Sequence, residues 1–164
     1  MASNLKNLSS YDKNAIPSAA DMRFGIVVSE WNEEITSALL NGACNTLQLH
    51  GADEKNIIIR YVPGSFELPL GAQYLIDCSD VDVVIALGCV IQGETRHFDF
   101  ICTAVSNGIM QMNLENGIPV IFGLLTTNDL QQAIDRSGGK HGNKGDEAAI
   151  TAIKMLALRN DLKK

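Results

Sequence analysis

A three-layer α/β/α sandwich built on a four-stranded parallel sheet is the fold this sequence predicts. Three observations carry the prediction. Four short runs rich in β-branched residues alternate with longer segments of helical period. The runs show little polar alternation, as expected of strands covered on both faces. The resulting β-α-β-α-β-α-β-α order implies right-handed crossovers, which place helices on both sides of one sheet. At 164 residues a single domain suffices to bury the core.

The elements follow in order. Residues 1–20 have no clear period and are expected to form a flexible arm, or one ordered only against a neighbour. Residues 21–164 are then the single folded domain. The strand runs are residues 23–29 (RFGIVVS), 56–62 (NIIIRYV), 81–91 (VDVVIALGCVI) and 119–125 (PVIFGLL). The first helix, residues 32–50, carries Ile35, Leu39, Ala43 and Leu47 at helical spacing. A shorter second helix covers 66–78. The third, 97–116, carries Phe98, Ile101, Val105, Ile109 and Met112 as one apolar stripe, and Gly117 with Pro119 stops it. Asn128 is the expected N-cap of a short helix ending near Arg136. A glycine- and lysine-rich link over 137–145 leads to a last helix, opened by Asp146 and reaching about residue 160. That helix is apolar on more than one side, which points to a second face buried against another subunit.

Composition narrows the functions. Thirteen Lys and Arg stand against 19 Asp and Glu, a net charge of −6. With no basic run, nucleic acid is excluded as the main partner, because phosphate neutralisation needs a basic surface. No apolar run reaches the roughly 18–20 residues of a membrane span. The first twenty residues lack the apolar block of a signal peptide. Cys44, Cys78, Cys89 and Cys102 form no CxxC pair and have no histidine at metal spacing. They read as reduced thiols of a cytoplasmic protein without a metal site.

In such a sheet ligands bind beyond the carboxyl ends of the strands, and three of those ends carry candidate chemistry. After the first strand, SEWN puts Trp31 and Asn32 at a strand-to-helix turn. Trp31 either packs into the core or, among its polar neighbours, offers a flat face to a planar heterocycle. After the second strand, VPGSFELP brings Ser65, Phe66 and Glu67 to a helix start. Glu67 either serves the helix dipole or accepts hydrogen bonds from substrate hydroxyls. After the third, GCVIQGETRHFDF contains Cys89, Val90 and Ile91, then Gly93, Glu94, Thr95 and His97. This stretch is either a plain loop or a phosphate cradle at a helix N-terminus. There His97 is either structural or a neutral proton acceptor. Arg136 either complements its own helix end or clamps a phosphate dianion with its forked donors. GNKG could bring Lys144 to a carbonyl-rich ligand. No nucleophile elbow, P-loop or zinc pattern is present, so hydrolase, NTPase and zinc readings have no support.

Together FGIVVSEWN, VPGSFELP, ALGCVIQGETRHFDF, PVIFGLLTT and GNKG resemble the lumazine synthase family of riboflavin biosynthesis in order and spacing, from about Phe24 to Leu158. The resemblance implies flavodoxin-like subunits assembled as pentamers, twelve of which can close into an icosahedral shell. It implies condensation of 5-amino-6-(D-ribitylamino)uracil with 3,4-dihydroxy-2-butanone 4-phosphate, giving 6,7-dimethyl-8-ribityllumazine, phosphate and water, with no cofactor or metal. By family position, Trp31 stacks on the pyrimidine, with Asn32 beside it. Ser65, Phe66 and Glu67 meet the ribityl chain, and the backbone at Cys89, Val90 and Ile91 meets the ring edge. Gly93, Glu94 and Thr95 hold the phosphate with Arg136, and His97 moves protons. Phe122, Lys144 and Arg136 reach in from the neighbouring subunit. Riboflavin synthase is the macromolecular partner the resemblance suggests. Trp31 stands where phenylalanine is common, and His141 where a smaller residue is common. The link lacks the insertion of members that stop at pentamers, which favours the shell. The alternative is a non-catalytic flavin- or lumazine-binding shell or storage protein on the same fold, which would not need a phosphate clamp beside a base.

Overall fold

The computed structural model describes residues 7–163. Its central sheet has the strand order β2-β1-β3-β4, and every pairing in it is parallel. The strands are β1 (Phe24–Ser29), β2 (Ile57–Val62), β3 (Val83–Ile91) and β4 (Val120–Thr127). They are linked by α1 (Glu33–Leu49), α2 (Leu68–Cys78) and α3 (His97–Asn116). After β4 come α4 (Leu130–Ile134), a hairpin of β5 (Ser137–Gly139) and β6 (Gly142–Asn143), and α5 (Lys144–Leu162).

Alternate strand residues divide the core in two, as the period-2 geometry of a strand requires. Phe24, Ile26, Val28, Val83, Ile85 and Leu87 face α1 and α5, where they meet Leu39, Leu47, Ile153 and Leu156. Val27, Val84, Ala86 and Leu124 face α2 and α3, where they meet Leu68, Leu75, Val105 and Ile109. Each such side chain contributes about 1.5–3 kcal/mol when fully buried. Both faces of β1 and β3 are closed in this way, so the carboxyl ends of these two strands are held rigidly. The first face is tight: Gly145 at the start of α5 lies against the Leu39 carbonyl of α1, leaving no room for a Cβ.

Several boundaries differ from the sequence reading. β2 is not covered on both faces, because it is an edge strand and leaves Arg60 and Tyr61 exposed. The short helix is capped by Asp129, not Asn128. Asp129 Oδ1 accepts from Gln132 N at 2.8 Å while Gln132 Oε1 accepts from Asn128 N at 3.1 Å, a reciprocal pair close to a capping box. The glycine-rich link is an antiparallel hairpin, with Gly138 and Gly142 at φ 123° and 83°, where side-chain-bearing residues would be strained. The last helix opens at Lys144, capped by Asn143 Oδ1 on Gly145 N at 2.8 Å, two residues before Asp146. On that helix Ala149, Ile153 and Leu156 are buried, while Met155, Leu158 and Leu162 stay exposed. Of the N-terminal stretch, Leu8 N donates to the His141 carbonyl at 2.7 Å and Ala19 N to the His50 carbonyl at 2.8 Å; residues 1–6 lie outside the described residues.

Candidate active site

The β1–α1 turn, the turn before α2, the end of β3 and the first turns of α3 enclose a cleft of about 840 Å³ at the carboxyl edge of the sheet. Each wall has a local cause. Glu30 N donates to the Val62 carbonyl at 2.9 Å and Trp31 N to the Pro63 carbonyl at 3.3 Å, so the β1–α1 turn leans on the loop after β2. The Trp31 indole is 73% exposed, which settles the sequence alternative: it is not a core residue. A Cβ on Gly64 would stand 3.1 Å from Glu67 Oε2 and 3.5 Å from Trp31 Cδ1, so the bare glycine lets the carboxylate and the indole edge come close together. The 3-10 turn Ser65–Glu67 rests on β3 at Gly88, where a Cβ would meet Ser65 Oγ at 2.9 Å and Leu68 Cδ1 at 2.8 Å. Ser65 Oγ is buried with no hydrogen-bond partner among the described residues.

The far wall is α3. Helical spacing puts His97, Phe100 and Ile101 on the cleft side, with Phe100 67% exposed. The loop before them, Gly93–Arg96, is exposed, and a Cβ on Gly93 would meet nothing within 4 Å. Thr95 Oγ1 accepts weakly from His97 N at 3.4 Å, and Arg96 pairs with Asp99 at 3.6 Å. Positive potential at this helix start favours a bound anion. At the end of β3, burial pushes the Cys89 thiol up to about 11. It therefore stays protonated and is no nucleophile at neutral pH.

Three expected residues lie away from this cleft. Phe122 and Lys144 line a separate cavity of about 270 Å³ between β4, α3 and α5, where Lys144 Nζ pairs with Glu147 at 2.9 Å. Arg136 stands two residues past α4, with its Nη1 on the Gln132 carbonyl at 3.0 Å, and its own carbonyl accepts from Lys144 N at 2.8 Å. No group of three or more potential metal ligands occurs among the described residues.

The sequence model of the 6,7-dimethyl-8-ribityllumazine synthase family matches residues 21–160. Proteins named 6,7-dimethyl-8-ribityllumazine synthase are similar over nearly the whole chain. The one from Cytophaga hutchinsonii is 64% identical over 157 residues, covering 96% of this chain and 98% of its own. The one from Phocaeicola vulgatus is 58% identical, covering 100% and 98%. The one from Parabacteroides distasonis is 56% identical, covering 95% and 98%. The chain belongs to this family.

For a lumazine synthase chain, then, the structure brings Trp31, Asn32, Ser65, Phe66, Glu67, Cys89, Val90, Ile91 and His97 around one cleft. Gly93, Glu94 and Thr95 stand in the loop between its β3 and α3 walls. Phe122, Lys144 and Arg136 do not join them within the chain. Sequence reasoning missed Phe100 and Ile101 as lining residues. The signal for both was present, since positions three and four after His97 share its helix face.

Proposed function

We propose that this lumazine synthase chain condenses 5-amino-6-(D-ribitylamino)uracil with 3,4-dihydroxy-2-butanone 4-phosphate, releasing 6,7-dimethyl-8-ribityllumazine, phosphate and water. One observation carries the reading beyond family membership: an exposed indole, a carboxylate and an imidazole line one cleft beside an open helix N-terminus. An aromatic face, a hydroxyl acceptor, a proton carrier and an anion seat are what a ribitylated pyrimidine and a ketose phosphate require. Trp31 stacks on the pyrimidine. Ser65, Phe66 and Glu67 take the ribityl chain, and the Gly93–Thr95 turn takes the phosphate. His97 relays protons as the arylamine adds to the ketone, water leaves, phosphate is eliminated and the ring closes. These steps draw mainly on proximity, which can supply about 7–11 kcal/mol of a barrier.

The site is completed by a second copy. Phe122, Lys144 and Arg136 do not line the chain's own cleft, and in this reading each subunit lends them to a neighbour. Arg136 uses one guanidinium donor on Gln132 and keeps the rest for a phosphate. Exposed Met110 and Leu114 on α3, with Met155 and Leu158 on α5, offer apolar surface for such association. We read the assembly as a pentamer able to build a sixty-subunit shell, acting in the cytoplasm, with riboflavin synthase as a partner. No helix among the described residues is long and apolar enough to cross a membrane.

The test mixes the two substrates with purified protein, follows lumazine absorbance and phosphate release, and sizes the particle on the same sample. Lumazine and phosphate appearing together support the reading. Binding of the pyrimidine without phosphate release would leave a storage protein instead.

A further inference from the structure

Asn32 is the only non-glycine residue at positive φ among the described residues, at φ 61° and ψ 48°. This left-handed region is steeply disfavoured for residues with a Cβ, and asparagine is among the few that enter it at low cost. Asn32 also stands at the N-cap of α1, where an asparagine side chain normally accepts from the helix's first amides. Here it makes no such bond. Its Nδ2 instead crosses to β3 and donates to the Cys89 carbonyl at 2.9 Å. An unusual backbone and a forgone cap therefore coincide with a single contact between two strand ends.

That contact sits beside Trp31, whose ring is largely exposed and so gains little from packing. Its position must come from the backbone that carries it. One side of the turn is held by the Glu30 amide on the last residue of β2 and the Trp31 amide on the loop after it. The other side is held, among the described residues, by the Asn32 amide on Cys89. With Nδ2 committed to a carbonyl, the amide's orientation is fixed as well.

We propose that Asn32 is a positioning residue: its left-handed backbone and its amide bridge to the Cys89 carbonyl fix the Trp31 ring in the orientation that receives the pyrimidine. This rests on the function proposed above but makes a claim about the ligand-free protein. Trp31 is the only tryptophan, so its emission reports this turn alone.

The experiment measures time-resolved fluorescence anisotropy of Trp31 in the unliganded, assembled protein, and then steady-state kinetics. Asn32→Gly keeps the left-handed backbone and removes the bridge. Asn32→Asp keeps the shape but places an acceptor against the Cys89 carbonyl. For both variants the fast, local anisotropy decay should grow in amplitude. KM for the pyrimidine should rise about 5- to 10-fold, with a smaller change in kcat, as loss of one hydrogen bond predicts. Asn32→Ala should behave worse than Asn32→Gly. Unchanged anisotropy in a folded Asn32→Gly protein overturns the proposal, even if KM rises, because a residue that merely touches substrate would leave the free ring unmoved. Should the wild-type protein make no lumazine, the functional reading fails while the anisotropy result still decides the role of Asn32.

Discussion

The cleft flanked by β1 and β3 and the β4–α5 flank present opposite states of readiness. Around the cleft, aromatic faces are bare and the Gly93 turn is open. Away from the cleft, the two cations expected to serve the same reaction are partly engaged: Lys144 is ion-paired with Glu147, and Arg136 gives one of its donors to the Gln132 carbonyl. A binding surface waiting for substrate leaves donors and acceptors unmatched. A surface that must stay soluble until it meets another copy pairs its charges internally. Family membership explains the contrast if the two regions are halves of one site contributed by different subunits.

The largest expected effect tests that division. Arg136→Ala should lower kcat/KM by about 1000-fold, the cost of leaving a desolvated phosphate without its cation. Mixed oligomers sharpen it. Refolding Arg136→Ala chains together with Glu67→Ala chains, each inactive alone, should restore about a quarter of wild-type activity, because a ring of randomly mixed subunits rebuilds one site in four. No recovery in mixed particles would mean both residues serve the site of one chain.

His97→Ala should cost less, on the order of 10- to 100-fold in kcat, since solvent can partly replace a proton carrier but not an anchored dianion. A His97 effect exceeding that of Arg136 would reverse the ranking of the two regions. Trp31→Phe should change KM by only about 2- to 3-fold, because a smaller aromatic face still stacks. In the wild-type protein, titration with the pyrimidine should quench or shift the Trp31 emission; a flat titration removes the ring from the site.

The smallest effect lies at the opposite edge of the sheet and serves as a control. Asp82 accepts from Arg23 Nη2 and Nε at 2.9 and 3.0 Å, and that guanidinium holds its carboxyl below the usual carboxylate range. A depressed folded pKa contributes stability above the unfolded value of about 3.9, which is lost as pH falls through the folded value. Asp82→Asn should lower Tm at pH 7 by about 2 °C, the modest figure expected of a partly exposed pair, with the difference shrinking below pH 4. Turnover should not change.

The sheet was legible because buried parallel strands leave apolar runs, and all four fell within two residues of their expected ends. The start and end of α3 were legible because His97 follows a glycine turn and Gly117 adopts φ 63°. What escaped depended on competition between neighbours. Asn128 and Asp129 are both good caps, and only Gln132, three residues after Asp129, decides between them. The β5–β6 hairpin looked like a linker because its strands are too short and glycine-rich to carry an alternating pattern. Within the cleft, Phe100 escaped because it falls outside the apolar stripe that helical spacing assigns to α3. The special role of the Asn32 backbone has no sequence signature at all, since asparagine at a helix start normally reads as a cap.

One absent methyl group has a long reach. At Gly88 the sheet surface dips, and the Ser65–Glu67 platform settles into the depression against Leu68 and Leu124. Alanine there would raise that platform like a shim, shortening the well between Glu67 and the sheet. Close packing on the central strand thus sets the height at which Glu67 stands over the cleft.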